Sequence, residues 1–186
     1  MSSLVKQSMS QGMDKSTEQY SDEQQQFLTF LQGHEMFAVG ILGIKEIIEY
    51  CKLTTVPLMP DFMSGVINVR GSVVPVIDLA ARFARKAEQA TRKSCIVIIE
   101  TEYDDEKVDI GIIVDSVSEV LEIALEDIEP APRFGAKIRT EFIQGMGKIA
   151  DKFVIILNIA KVLSIDEMSE LNQFDPSSDE YIFQPE

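Results

Sequence analysis

The chain is written twice. Gly65 to Phe83 aligns without a gap on Gly145 to Leu163, at an offset of 80 residues. Glycine falls on glycine, Asp78 on Asn158, Leu79 on Ile159 and Ala80 on Ala160, and the apolar positions largely agree. Upstream, Phe37 to Tyr50 aligns on Ile110 to Ile123 at an offset of 73, which places Ile44 on Val117, Glu46 on Glu119 and Glu49 on Glu122. Val56-Pro57 matches Ala131-Pro132, so the offset grows within the connectors. Two copies of one unit of about 70 residues is the economical reading of this pattern. A unit that small is marginal alone, so the pair is expected to share a hydrophobic interface.

Each copy carries about five short strands separated by turn signals, the pattern of a small closed barrel. Residues 25–32 and 35–39 read as strands around the turn Gly33-His34. Ile41 to Tyr50 is compatible with a helical turn entering a strand. Val56-Pro57-Leu58-Met59-Pro60 is a connector, because two prolines disfavour helix and ladder alike. Strands follow over residues 94–101 and 107–114, and again over 144–150 and 152–158. The acidic stretch Glu102 to Glu106 lacks the D-x-D-x-D-G spacing of a calcium loop, so a solvated hairpin tip is expected there. Asp78 is placed to cap a short helix through Leu79 to Phe83, and a second helix starts near Ala160. Residues 84–93 read as a polar, basic surface loop, and Glu129 to Gly135 as another connector.

Charge and composition exclude several classes of function. The net charge is −14 over 186 residues. Residues 164–186 hold seven acids and no base, and residues 1–26 hold four acids and two bases, so the tails carry nine of those surplus charges. No basic stripe is present to track phosphates, which argues against nucleic acid. No apolar run approaches the roughly 20 residues that span a bilayer. The polar N-terminus has no signal-peptide core, so a cytoplasmic protein without direct membrane insertion is expected. Residues 1–24 and the acidic end from 166 to 186 are too polar to repay the entropy of ordering. They are expected to be a disordered arm and, after a short helix, a disordered tail, and removing residues 1–22 and 175–186 is expected to change stability little. Cys51 and Cys95 have no metal-like or redox-like spacing and are expected to be small buried hydrophobes. His34 is expected to be a turn residue rather than a ligand. With one histidine and neither a G-x-S-x-G nor a Gly-rich phosphate loop, no catalytic residues, cofactor or metal ligands are assigned.

The stretch Gly65-Val66-Ile67-Asn68-Val69-Arg70-Gly71-Ser72-Val73-Val74-Pro75-Val76-Ile77-Asp78-Leu79 reads as two strands around a turn at Arg70-Gly71-Ser72. Alternation along a strand puts Val66, Asn68 and Arg70 on one face and Ile67 and Val69 on the other. Pro75 cannot donate to a ladder, so the second strand is expected at an edge or at a bulge. The second copy has Lys148-Ile149-Ala150-Asp151 where the first has Asn68-Val69-Arg70-Gly71. Divergence at an exposed tip over a common framework points to a binding surface on the first copy.

This fifteen-residue stretch closely resembles the signature of the CheW family of chemotaxis coupling adaptors. The resemblance covers residues 25 to about 165, including Val39 to Ile47, Gly111 to Val117, Phe142 to Gly145 and Val154 to Ile159. It departs from the family at Asn158, where the second half often has Asp, and in the length of the acidic tail. It implies a mainly β fold of two tandem five-stranded SH3-like barrels, intertwined on one hydrophobic core, with short helices. It implies a non-enzymatic scaffold that couples chemoreceptors to the CheA histidine kinase. The groove between the barrels would take a receptor's cytoplasmic hairpin tip, and other surfaces the regulatory domain of the kinase. The family's receptor-facing positions fall on Ile44, Glu46, Asn68 and Arg70, with Arg70 expected at the mouth of the groove. An adaptor for another chemosensory-type output, such as surface motility, would share this fold. A small-ligand sensor or an enzyme using the groove is the alternative of a different class, which stabilisation by a metabolite would favour.

Overall fold

A computed structural model of the chain describes residues 24–133 and 137–166. The arm expected over residues 1–24 and the tail expected over 166–186 lie outside the described residues, apart from Gln24 and Asp166. The strands are β1 (Gln24–Gln32), β2 (Glu35–Gly40), β3 (Ile44–Glu49), β4 (Met63–Val69), β5 (Ser72–Asp78), β6 (Cys95–Tyr103), β7 (Glu106–Val114), β8 (Ser116–Ala124), β9 (Ile128–Glu129), β10 (Ile143–Ile149) and β11 (Lys152–Leu157). Two one-turn helices, α1 (Leu79–Arg82) and α2 (Ile159–Val162), follow the two late hairpins. Ile41 to Gly43 forms the expected helical turn before β3. Asp104 and Asp105 make the acidic hairpin tip, both at positive φ.

The strands gather into two sheets, one ordered β3-β6-β7-β5-β4 and the other β8-β1-β2-β11-β10-β9. The copies therefore interlock instead of standing one after the other. The hairpin β6–β7 of the second copy completes the first sheet, and β1–β2 of the first copy completes the second. The repeat offsets survive in the pairing. Val76 faces Gly111 in the parallel ladder of β5 with β7, and Ile156 faces Ala38 in that of β11 with β2. Those two pairs are images of each other under the offsets of 80 and 73. Bulges fall at Met63/Gly65 and at Ile143/Gly145. Asp78 N donates to Phe62 O and Asn158 N to Phe142 O, each at 2.8 Å.

Each sheet curls around a small core of its own, Ile67, Val74, Val76, Ile96 and Ile98 in the first and Phe27, Ala38, Ile123, Val154 and Ile156 in the second. Between them lies a larger shared core that includes Phe30, Phe37, Ile77, Leu79, Phe83, Ile112, Phe142 and Leu157. Asp78 Oδ1 accepts from Ala81 N and Asn158 Oδ1 from Lys161 N, so both helices are capped by the aligned residues. Arg82, only 7% exposed, donates from Nε to Val162 O at 2.8 Å and lies over the rings of Phe62 and Phe142. Phe62 and Phe142 are a repeat pair, as are Arg82 and Val162, so this guanidinium sits on the relation between the copies.

Three expectations need correction. β5 is not an edge strand, since β7 and β4 flank it. Pro75 is tolerated because Val66, its partner on β4, exchanges both backbone hydrogen bonds with Thr54, and the ladder to β7 begins one residue later at Val76. The missing N–H thus falls where no ladder bond is needed. The bulge lies on β4, opposite Val76 and Ile77, and not at Pro75. Cys51 is exposed, because β3 ends at Glu49 and the chain has left the sheet; Cys95 is partly buried.

Candidate functional site

β3 and β4 are the two end strands of the first sheet, yet Arg70 Nη2 reaches Glu46 Oε1 at 3.3 Å. The sheet curls far enough for this ion pair to span the gap between its two end strands. The Arg70 side chain is 83% exposed and that of Glu46 31%. In such solvent the pair itself contributes little to stability, about 0–1 kcal/mol. Its value is geometric, since it biases where a forked donor sits.

Arg70 is not on the strand face with Val66 and Asn68. β4 stops at Val69 and β5 begins at Ser72, leaving Arg70 and Gly71 as a two-residue turn with φ of 52° and 89°. Positive φ at both central residues matches the twist of paired strands, which is why such turns close hairpins. Asn68 Oδ1 accepts from Gly71 N at 2.9 Å. The structure thus brings Glu46, Asn68 and Arg70 together at one barrel end. Ile44, on the same strand as Glu46, packs partly buried against the shared core.

One apolar neighbour escaped the sequence reading. Val73 lies opposite Asn68 in register and is 71% exposed, whereas Ile47, 42% exposed, is turned by alternation to the face of β3 opposite Glu46. The doublet Val73-Val74 carried the signal, because alternation must leave one of the two outside. Lys45 pairs with Asp109 at 3.0 Å and Glu100 at 3.4 Å, and Lys107 with Glu100 at 2.8 Å. The hydrogen bond to Asp109, and then the one to Glu100, raises the pKa of Lys45 above its usual value.

A groove of about 510 Å³ runs between the barrels, lined by Ile41, Ile99, Leu157 and Ile159 and edged by Gln24, Gln25, Gln26, Gln144 and Leu42. Leu42 is fully exposed over it. None of the four predicted positions lines this groove; Gly43, next to Ile44, does. Arg70 therefore belongs to the end of one barrel and not to the groove's lining. Among the described residues no group of three His, Cys, Asp or Glu could hold a metal ion, and no helix is long and apolar enough to cross a membrane.

Residues 26–167 match the family model described as CheW-like domain. The chain belongs to the CheW-like family. It is 37% identical over 145 residues to the chemotaxis protein CheW of Klebsiella aerogenes, covering 78% of this chain and 85% of that one. It is 32% identical over 151 residues to CheW of Helicobacter pylori, covering 81% and 88%. Its fold matches the crystal structure of the scaffolding protein TtCheW from Thermoanaerobacter tengcongensis with a TM-score of 0.66 and 34% identity, over 73% of this chain and 89% of that one. The two interlocked sheets are the two SH3-like β-barrels of this family. The chain is accordingly a non-enzymatic chemotaxis adaptor of the CheW type.

Proposed function

We propose that this adaptor acts in the cytoplasm, joining the hairpin tip of a chemoreceptor to the regulatory domain of the CheA histidine kinase. We assign Ile44, Glu46, Asn68 and Arg70 to the receptor side. The observation that carries this reading is the exposed guanidinium of Arg70, on a turn braced by Asn68 and paired with Glu46, beside exposed Val73. A forked donor beside apolar surface suits a polar helical tip better than it suits a small metabolite. The kinase is assigned to a separate surface.

The test is one variant measured three ways. Arg70→Glu should weaken binding to a receptor cytoplasmic fragment by about 2 kcal/mol or more, the scale of an interface hot spot. Its stability should change by about 0.5 kcal/mol, because the side chain is exposed, and kinase affinity should persist. Unchanged receptor affinity would leave Arg70 as a surface ion pair. Loss of stability and of both affinities would make it a residue of the fold.

A further inference from the structure

We infer that Asn68 is a positioning residue for Arg70 and makes no essential contact of its own with the receptor. This rests on the reading above, in which Arg70 meets the receptor. A residue with a Cβ is strained in the left-handed backbone region that glycine enters freely, and Arg70 sits there at φ 52°. Gly71, at φ 89°, has no heavy atom within 4 Å of where a Cβ would stand, so the backbone and not crowding calls for glycine. Open space lies on the side where that Cβ would point. The bond from Gly71 N to Asn68 Oδ1 braces it from inside, and it commits the acceptor oxygen of Asn68 to the turn.

The second copy makes the same point by contrast. Ala150 takes the same φ of 52° at the matching tip, so the bend itself is available without an asparagine. Lys148 stands in the place of Asn68 and has no acceptor to offer Asp151. The brace accompanies the tip that carries an arginine. A long side chain rooted on a fixed turn has less freedom to lose when it docks, and Glu46 adds a second restraint at the far end of the guanidinium.

The experiment is a double-mutant cycle on the full-length chain, read as affinity for a purified chemoreceptor cytoplasmic fragment, with thermal unfolding of every variant alongside. Asn68→Ala should weaken binding about two- to tenfold, the range of one hydrogen bond. Asn68→Asp keeps the acceptor oxygen and loses the amide donor, and should retain affinity close to that of the parent. In an Arg70→Ala background, Asn68→Ala should have no further effect. Equal losses with and without Arg70 would show that Asn68 touches the receptor itself and would overturn the inference. So would an Asn68→Asp variant as weak as Asn68→Ala, or an Asn68→Ala variant that binds normally while Arg70→Ala does not. If Arg70→Ala alone leaves affinity unchanged, the placement of Arg70 on the receptor fails first, a pattern distinct from the others.

Discussion

Thr29 stands in the middle of β1, 1% exposed, among phenylalanines and leucines. Its Oγ1 donates to Glu119 O at 2.7 Å and accepts from Glu119 N at 3.2 Å, at the point where β1 and β8 slip register. The hydroxyl satisfies the N–H and the C=O of Glu119, which the bulge removes from the ladder. Thr29→Val keeps the shape and orphans both groups, so it should lower stability by about 1–3 kcal/mol in urea unfolding. Sequence reading had no means of finding this bond, because the partner lies 90 residues away and a buried Thr looks like any other strand residue. Arg82 was illegible for a similar reason. A base at the end of a one-turn helix reads as solvated, and its burial between Phe62 and Phe142 depends on a neighbour supplied by the other copy. Asp78, by contrast, was readable as a cap because its partner is three residues on.

At the scale of the element, each late hairpin carries a glycine that a short crossing segment needs. A Cβ on Gly65 would stand 2.5 Å from Thr54 O, at a φ of 149°. A Cβ on Gly145 would stand 2.6 Å from Ile128 Cγ2, at the matching crossing by β9. This is the physical content of glycine aligning on glycine in the repeat. Gly65→Ala should destabilise by about 2 kcal/mol or more. Gly40→Ala, where a Cβ would meet nothing within 4 Å, should stay within about 0.5 kcal/mol in the same assay. Strand positions were legible from β-branched runs and turn residues. The alternation rule went one residue too far at Arg70, because an Arg-Gly turn lacks the Asn-Gly or Asp-Gly signature that announces positive φ at both places. Partner choice was also beyond reach, since nothing local tells β3 to pair with β6 and β8 with β1.

For the molecule as a whole, the repeat announced a shared core, and the two offsets foretold which residues would be equivalent. They could not say that the copies exchange hairpins, because either arrangement satisfies the same pattern. Ion pairing also ties distant parts together. Glu35 on β2 meets Arg85, just after α1, at 2.8 Å and Lys137, ahead of Phe142, at 3.4 Å. Burial raises the pKa of Glu35, but Arg85 and then Lys137 outweigh it and hold the carboxyl below its ordinary value of 4.5. A depressed carboxylate pKa adds stability above the unfolded-state value, and that stability is lost as pH falls through the folded-state value. Unfolding measured at pH 7 and pH 3 should therefore show Glu35→Gln less stable at neutral pH, with the gap to the parent closing in acid. The exchange of hairpins has a further consequence during synthesis. A ribosome releases the amino end first, and when residue 90 has emerged neither sheet can be finished. The first sheet waits for Val114 at the end of β7, and the second for Leu157 at the end of β11. Until then the nascent chain carries bare strand edges, the form most open to protease and to other nascent chains.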